Sequence, residues 1–166
     1  MLIRPATAAD MAAVARIYDH YVLHTAITFD TEPKPVTEWE AGFARDVADG
    51  PYQFLVADVD GQVAAYAHTG QFHIRCAYWT SIFVSVYCAP ERTGMGLGPA
   101  LYRTLFGEVL PGTAFHKVYA GVTQPNEASV KLHERFGFVR EGLFAEVGQK
   151  FGQWHDVAWY ARGLGG

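Results

Sequence analysis

The sequence predicts an α+β fold, in which one mixed β-sheet carries helices on both of its faces. Apolar residues alternate between strand and helix spacing along the chain, in the order β-α-α-β-β-β-α-β-α-β-β. Strands grouped ahead of a helix, followed by strand–helix–strand units, are typical of mixed sheets. With 166 residues, half of them hydrophobic, the chain is long enough to bury the core of a single domain, residues 1–166.

The first part of the chain predicts a short strand and two helices. Residues 2–4 form the strand, and Thr7 followed by Asp10 has the spacing of a capping box that starts a helix. Apolar side chains then recur at helical spacing, at Met11, Val14, Ile17, Tyr18 and Tyr21. A loop is expected over residues 22–36, and a second helix over residues 37–47.

The middle of the chain predicts a hairpin and a further strand. Residues 54–57 and 63–66 flank Asp60-Gly61, a dipeptide that favours a tight turn between antiparallel strands. Residues 78–88 are rich in aromatic and β-branched side chains and predict a strand. Strand alternation places one set of its side chains on a common face: Trp79, Ser81, Phe83, Ser85 and Tyr87.

The remaining elements alternate between helix and strand. A helix is expected over residues 99–109, because Pro111-Gly112 stops it, and a strand over residues 117–123. Residues 126–136 predict a helix that ends at Gly137. Strand character restarts at residue 138, and the aromatic-rich remainder predicts a final strand pair.

A glycine-rich loop precedes the third helix, at Gly94, Gly96 and Gly98. Glycine tolerates positive φ and lets a ligand approach the backbone, and the helix start presents free amide groups. Such a site suits a phosphate or diphosphate. The spacing matches neither a P-loop nor the G-x-G-x-x-G dinucleotide fingerprint. A glycine-rich turn without a ligand is the alternative interpretation.

Composition excludes several classes of function. A net charge of −4, with the 13 Lys and Arg residues scattered, argues against nucleic acid as a partner. No apolar run reaches the ~20 residues of a transmembrane helix. The first residues lack the apolar core of a secretion signal, and the two cysteines form no C-x-x-C pair, so we expect a cytoplasmic protein. His20 and His24 lack a third ligand, so no metal is expected.

Several segments together resemble the GNAT superfamily of acetyl-CoA-dependent N-acetyltransferases, and within it the phosphinothricin acetyltransferase branch. These segments are IRPAT at 3–7, Phe29 with TEP at 31–33, YQFLVADVDGQVAAYA at 52–67, Arg75 with Ala77-Tyr78, SVY at 85–87, PNEASVKLHERFGF at 125–138 and GQKFGQWHDV at 148–157. The resemblance implies a mostly antiparallel sheet of about seven strands. It also implies acetyl-CoA as cosubstrate and a small-molecule amine, such as an amino acid or analogue, as acceptor.

The resemblance assigns the cofactor-binding residues. Backbone groups of β-strand residues would pair with the pantetheine arm, and these are Val86, Tyr87 and Cys88. The diphosphate would be held by the loop and helix start, which comprise Thr93, Gly94, Met95, Gly96, Leu97, Gly98 and Pro99. Proline has no N–H, so Pro99 supplies no donor to this cradle. Asn126 would contact the pantetheine, with Ser129 on the same helical face.

The resemblance also assigns a proton carrier and an acceptor site. His133 occupies the helix position at which the superfamily often has a tyrosine acting as acid toward the thiolate. The residues near the acceptor would be Phe29, Arg75, Tyr78, Phe83 and Thr123. Phe83 stands where the branch carries a glutamate base, and a phenyl ring accepts no proton. His133 alone, or a water held by backbone carbonyls, could replace that base, or the protein could transfer slowly.

Two alternative functions therefore remain at this stage. One is a protein N-terminal acetyltransferase, which would need an open groove for an extended chain. The other is an acyl-CoA-binding module with little turnover, motivated by Phe83. Members of the branch commonly pair, so the resemblance also implies a homodimer.

Overall fold

A computed structural model describes residues 1–165, so the last residue of the expected 1–166 domain lies outside the described residues. The strands are β1 (Leu2–Pro5), β2 (Phe54–Val59), β3 (Gln62–Gln71), β4 (Ser81–Cys88), β5 (Lys117–Thr123), β6 (Val139–Lys150) and β7 (Gln153–Gly163). The α-helices are α1 (Met11–His24), α2 (Val36–Phe43), α3 (Leu97–Thr104) and α4 (Glu127–Arg135).

All seven of these strands form one sheet, in the order β1-β2-β3-β4-β5-β7-β6. Neighbouring strands run antiparallel except β4 and β5, which are parallel. The parallel pair is connected through α3, as expected for a crossover between parallel strands. The mixed, mostly antiparallel sheet and the order of elements are as the sequence predicted.

Apolar side chains build one core on each face of the sheet. The larger core lies between the sheet and α3, where Leu101, Tyr102 and Leu105 are fully buried, with residues of α4 packed against it. The smaller core lies under α1 and α2 and contains Met11 and Val14. Because side chains alternate along β4, one face of this strand packs into the larger core and the other face packs toward the smaller core.

Strands β4 and β5 diverge after a short paired region. Residues 81–83 of β4 pair with residues 117–119 of β5. From there β4 continues along β3 to Cys88, whereas β5 continues along β7 to Thr123. The divergence leaves a wedge whose apex is Phe83, and the β4 edge beyond it is open to an extended ligand.

Several element boundaries differ from the sequence prediction. The predicted helices 37–47 and 99–109 begin one and two residues earlier, and each ends in a π-helical turn. The prediction of a strand from Tyr78 was wrong, because Cys76–Tyr78 forms a 3₁₀ turn and β4 begins at Ser81. Trp79 therefore does not belong to the alternating face of β4.

Candidate active site

The glycine loop turns the chain from β4 into α3. Gly94 and Gly96 have φ values of 77° and 76°, in the left-handed region that favours glycine, and Gly96 is the N-cap of α3. Gly98 differs, because it lies inside the first turn of the helix. A Cβ on Gly98 would lie 3.3 Å from Leu132 Cδ2, so the missing side chain lets α3 approach α4 closely.

The free amide groups of this loop point to an anion. Within residues 1–165, the N–H groups of residues 94–97 donate to no backbone carbonyl. Pro99 has no N–H. The donors available to a diphosphate therefore include the amides of residues 94–97, at the positive end of the α3 dipole. The backbone geometry fits the group that the sequence predicted.

Side chains beside the glycine loop donate hydrogen bonds to backbone carbonyls of the protein. The Thr93 hydroxyl donates to the Pro90 carbonyl at 3.0 Å. The Tyr21 hydroxyl donates to the Cys88 carbonyl at 2.6 Å, which occupies that acceptor at the end of β4. One lone pair of the Cys88 carbonyl is thereby used, so the wholly unpaired part of the β4 edge is residues 84–87, which include Val86 and Tyr87.

Asn126 and Ser129 form the start of α4. Asn126 Oδ1 accepts the Ser129 N–H at 3.1 Å and so caps the helix. The side-chain NH₂ group of Asn126 remains as the part that can reach a ligand. Both residues lie at the helix terminus nearest the wedge between β4 and β5.

His133 is buried between α4 and α3, with 3% of its surface exposed. Its Nδ1 lies 2.7 Å from the Ser129 carbonyl oxygen, and its Nε2 lies 2.9 Å from the Tyr102 hydroxyl. A carbonyl only accepts, so Nδ1 carries the proton and Tyr102 donates to Nε2. Burial lowers the pKa of this imidazole, which favours the neutral ring. Ser129 Oγ, 3.3 Å from Nδ1, connects the ring with the partly exposed helix surface.

Phe83 occupies the apex of the wedge and faces α2 rather than α3. Its ring lies across Gly70 of β3, where an added Cβ would come within 2.5 Å of Phe83 Cε1 and Cζ. The His68 ring meets Phe83 edge to face, with centroids 5.6 Å apart. The side chain at the apex therefore accepts no proton, as the sequence indicated.

The other predicted acceptor residues form two groups on either side of Phe83. Arg75 and Tyr78 lie exposed in the β3–β4 connection, and Phe72 links Tyr78 to Tyr119 of β5, on which it stacks at 4.3 Å. The second group comprises residues of the α1–α2 connection and their contacts. Among residues 1–165, no hydrogen bond or aromatic ring contact joins the two groups directly.

Phe29 and Thr123 belong to that second group. Phe29 packs on Gly148 of β6, where a Cβ would overlap its ring, and Thr123 Oγ1 approaches the Ile27 carbonyl at 3.5 Å. Lys150, 4% exposed, donates to the Thr28 carbonyl at 2.8 Å and fixes the same connection. The β6–β7 hairpin thus holds the α1–α2 connection against the end of β5.

Sequence reasoning gave two side chains of this region no place in the site: His68, and Lys150, for which only structural contacts were expected. His68 stacks on Phe54 with centroids 5.2 Å apart, and burial lowers its pKa to about 4. Period-two alternation from Tyr66 would have placed His68 on the same face. Nothing local indicated Lys150, because its partner is 122 residues away.

Among residues 1–165, no group of three or more His, Cys, Asp and Glu side chains is arranged to hold a metal ion. No helix within the same range is long and apolar enough to cross a membrane.

Comparison with known proteins gives consistent matches over nearly the whole chain. The family described as Acetyltransferase (GNAT) domain matches residues 3–159. The chain is 44% identical to phosphinothricin N-acetyltransferase of Streptomyces coelicolor, over 98% of this chain and 95% of the relative. It is 34% identical to the L-methionine sulfoximine/L-methionine sulfone acetyltransferase of Salmonella typhimurium, over 95% of this chain and 91% of the relative.

A solved structure matches equally well. The phosphinothricin acetyltransferase of Sinorhizobium meliloti, determined in complex with acetyl-CoA, superposes with a TM-score of 0.91 at 34% identity. The match covers 99% of this chain and 88% of that one.

Proposed function

The chain belongs to the GNAT acetyltransferase family, and from that membership we propose that it transfers the acetyl group of acetyl-CoA to the amine of an amino acid or close analogue. One observation carries the proposal: the free amide groups of residues 94–97 stand at the start of α3, beside the open edge of β4. Relatives named for phosphinothricin and methionine sulfone acetylation support the acceptor class.

The residues present fit acetyl-CoA in three places. Amides 94–97 would bind its diphosphate, the open edge of β4 at residues 84–87 would pair with pantetheine, and the Asn126 NH₂ group would hold that arm from α4. Acetyl-CoA supplies the activated acyl group as a thioester. The wedge between β4 and β5 leads the reactive end of the molecule to the face that carries Phe83.

Acetyl transfer requires two proton movements. The attacking amine loses a proton, and the sulfur that leaves when the C–S bond breaks gains one. His133 is the proposed carrier toward the sulfur. Burial favours the neutral ring, which is too weak an acid to protonate a thiolate, so the ring would first take up the proton that the amine releases and then pass a proton on. Ser129 Oγ, 3.3 Å from Nδ1 and partly exposed on α4, would be the exit toward the sulfur. Phe83 excludes a carboxylate base at the apex, so the amine's proton leaves by another group or by water.

The function is tested by measuring free-thiol release from acetyl-CoA with a panel of amino acids and analogues, including methionine sulfone and phosphinothricin. Turnover with these small amines supports the proposal. Turnover only with peptides that carry a free N-terminus would instead establish a protein N-terminal acetyltransferase. Calorimetric binding of acetyl-CoA with no thiol release for any amine would establish a binding module. This outcome is included because Phe83 stands where related enzymes carry a glutamate base.

The role of His133 is tested with three variants. His133→Ala is expected to lower kcat by ~10²-fold, the usual contribution of general acid catalysis. Ser129→Ala removes the hydroxyl beside Nδ1, and Tyr102→Phe removes only the donor to Nε2. If Ser129→Ala lowers kcat and Tyr102→Phe does not, the proton leaves through Ser129. An unchanged kcat in His133→Ala would remove this residue from the mechanism.

The acceptor's carboxylate or phosphinate is assigned to Arg75. Its guanidinium is exposed in the β3–β4 connection, next to the ring cluster that Tyr78 forms with Phe72. Arg75→Gln should raise the KM for an amino acid far more than the KM for acetyl-CoA. Equal effects on both would place Arg75 outside acceptor recognition.

We also assign the protein to the cytoplasm as a homodimer. Cys76 and Cys88 are free thiols, which suits a reducing compartment. Strand β6 lies at the edge of the sheet and exposes a row of large apolar side chains, namely Val139, Leu143, Phe144 and Val147. Sedimentation equilibrium should give twice the chain mass, and Phe144→Asp should give the monomer.

A further inference from the structure

A cavity of about 500 Å³ lies between α2 and strands β2 to β4. Its volume falls in the range of about 300–1,000 Å³ that is usual for small-molecule sites. Phe54, His68 and Phe83 form its floor, and Trp39 and Phe43 of α2 form its wall. None of these five aromatic side chains except Phe83 belongs to the acceptor residues that the sequence indicated.

The inner end of the cavity adjoins the apex of the wedge. Phe83 is both the last β4 residue paired with β5 and part of the cavity floor. Its ring leans over Gly70, away from β5, because glycine leaves the space that a Cβ would fill. A ligand held at the apex can therefore extend one substituent across Phe83 into the cavity.

The floor of the cavity presents ring faces, whereas polar side chains lie along its margins. His68 stacks on Phe54 at 5.2 Å with an interplanar angle of 16°, and its ring lies edge to face against Phe83. Charged side chains occur on the α2 side, at Lys34, Glu38, Arg45 and Asp46, where they border the cavity. Because the rings of the floor pack on one another and leave their faces to the cavity, they favour an aromatic or long aliphatic occupant over a compact charged group.

We propose that this cavity receives the side chain of the acceptor amino acid, and that Phe83 seated over Gly70 selects aromatic or large aliphatic side chains. The proposal rests on the proposed acetyl transfer and adds the substrate class of the same site. The amine lies at the apex, the carboxylate is directed toward Arg75, and the side chain enters between α2 and the sheet. Acceptors with a compact phosphinate or sulfone group gain less from these ring contacts.

The experiment compares kcat/KM for L-phenylalanine, L-tryptophan and L-leucine with kcat/KM for methionine sulfone, phosphinothricin and glycine. The expected preference for the large apolar acceptors is about tenfold or more, the usual discrimination of an apolar pocket. In parallel, calorimetry measures binding of N-acetyl-L-tryptophan and N-acetylglycine to the protein together with CoA. Tighter binding of the tryptophan product is expected, and this measurement does not depend on the rate of chemistry.

Two variants connect the preference to the floor of the cavity. Gly70→Ala forces the Phe83 ring to move, and Phe83→Glu replaces the ring by a carboxylate at the apex. Both should reduce the ratio of tryptophan to methionine sulfone turnover by about tenfold. Gly107→Ala, a glycine with no atom near its missing Cβ, is the matched control and should keep the parent ratio.

The outcomes separate this inference from the proposed function. Thiol release with small compact acceptors but not with aromatic ones would overturn the cavity assignment and leave acetyl transfer intact, and so would a preference for tryptophan that is unchanged in both variants. Absence of thiol release with every amine would overturn both. If Gly70→Ala fails to fold, Phe83→Leu gives the same comparison, because leucine keeps an apolar side chain but removes the ring.

Discussion

The partly buried imidazole of His68, which is enclosed by aromatic rings, makes the stability of this protein sensitive to mild acid. Burial against Phe54 lowers its pKa to about 4, while Asp46 opposes the shift weakly. The unfolded chain titrates with a pKa near 6.5, so below that pH it binds a proton that the folded protein does not. Unfolding is therefore favoured as the pH falls from about 6.5 toward 4.

The size of the effect follows from the two pKa values. Between pH 7 and pH 4.5, the lost stability is RT times the change in ln[(1+10^(6.5−pH))/(1+10^(4−pH))], which is about 2 kcal/mol. The assay is urea unfolding at both pH values. In His68→Phe, where a ring still packs on Phe54, the difference between the two pH values should shrink by about 2 kcal/mol. His116→Gln alters an exposed histidine and should keep the parent difference.

A His68→Phe variant with the same pH dependence as the parent would refute this reasoning. That result would mean that the imidazole is hydrated in the folded protein. It would also weaken the view of the cavity floor as a dry aromatic surface, because the same desolvation causes both.

Three further predictions concern the rest of the fold. Asp10 forms a two-point ion pair with Arg4, and this partner lowers its pKa to about 2. Stability should therefore be lost as the pH falls from about 4 to 2, and Asp10→Asn should lose about 1–2 kcal/mol at pH 7 in urea unfolding. Gly96→Ala, at a φ of 76°, should cost about 1 kcal/mol of stability and weaken CoA binding in calorimetry, whereas Gly107→Ala should not weaken that binding. Lys150→Met should cost about 1–3 kcal/mol and raise the KM for the acceptor, because the carbonyls of the α1–α2 connection lose their buried donor. If Lys150→Met lowers stability and leaves the KM for the acceptor unchanged, Lys150 stabilises the fold and has no role in acceptor binding.

Local chemistry made much of the fold predictable. The turn at Asp60-Gly61 has φ values of 55° and 79°, which this dipeptide tolerates well, so the hairpin followed from two residues. Asn126 and Gly137 likewise bound α4 because one caps the helix and the other has a φ of 80°. The prediction of a strand from Tyr78 was wrong, because the alternation of side chains favours a strand there. The backbone instead makes its hydrogen bonds within a 3₁₀ turn at Cys76–Tyr78.

The candidate site was only partly predictable, because its geometry depends on distant residues. The glycine loop is contiguous, so three glycines ahead of a helix start indicated an anion site, with a turn without a ligand as the alternative. His133 contacts Tyr102, which lies 31 positions away in the chain. The spacing of apolar residues within α4 does not show which other helix packs against the His133 imidazole. The seating of Phe83 on Gly70 depends on strand register, which a single sequence leaves open.

Because side chains alternate along β4, the residues near the proposed acetyl-CoA site and those near the proposed amine site lie on opposite faces of one strand. Val84, Val86 and Cys88 face the α3 core, whereas Phe83 and Tyr87 face the opposite side of the sheet. Replacing an odd-numbered residue of this strand is therefore expected to remodel the proposed acceptor site and to leave the packing behind the glycine loop intact. An enzyme built in this way can evolve toward new amines stepwise, retaining its acyl donor while it changes what it modifies.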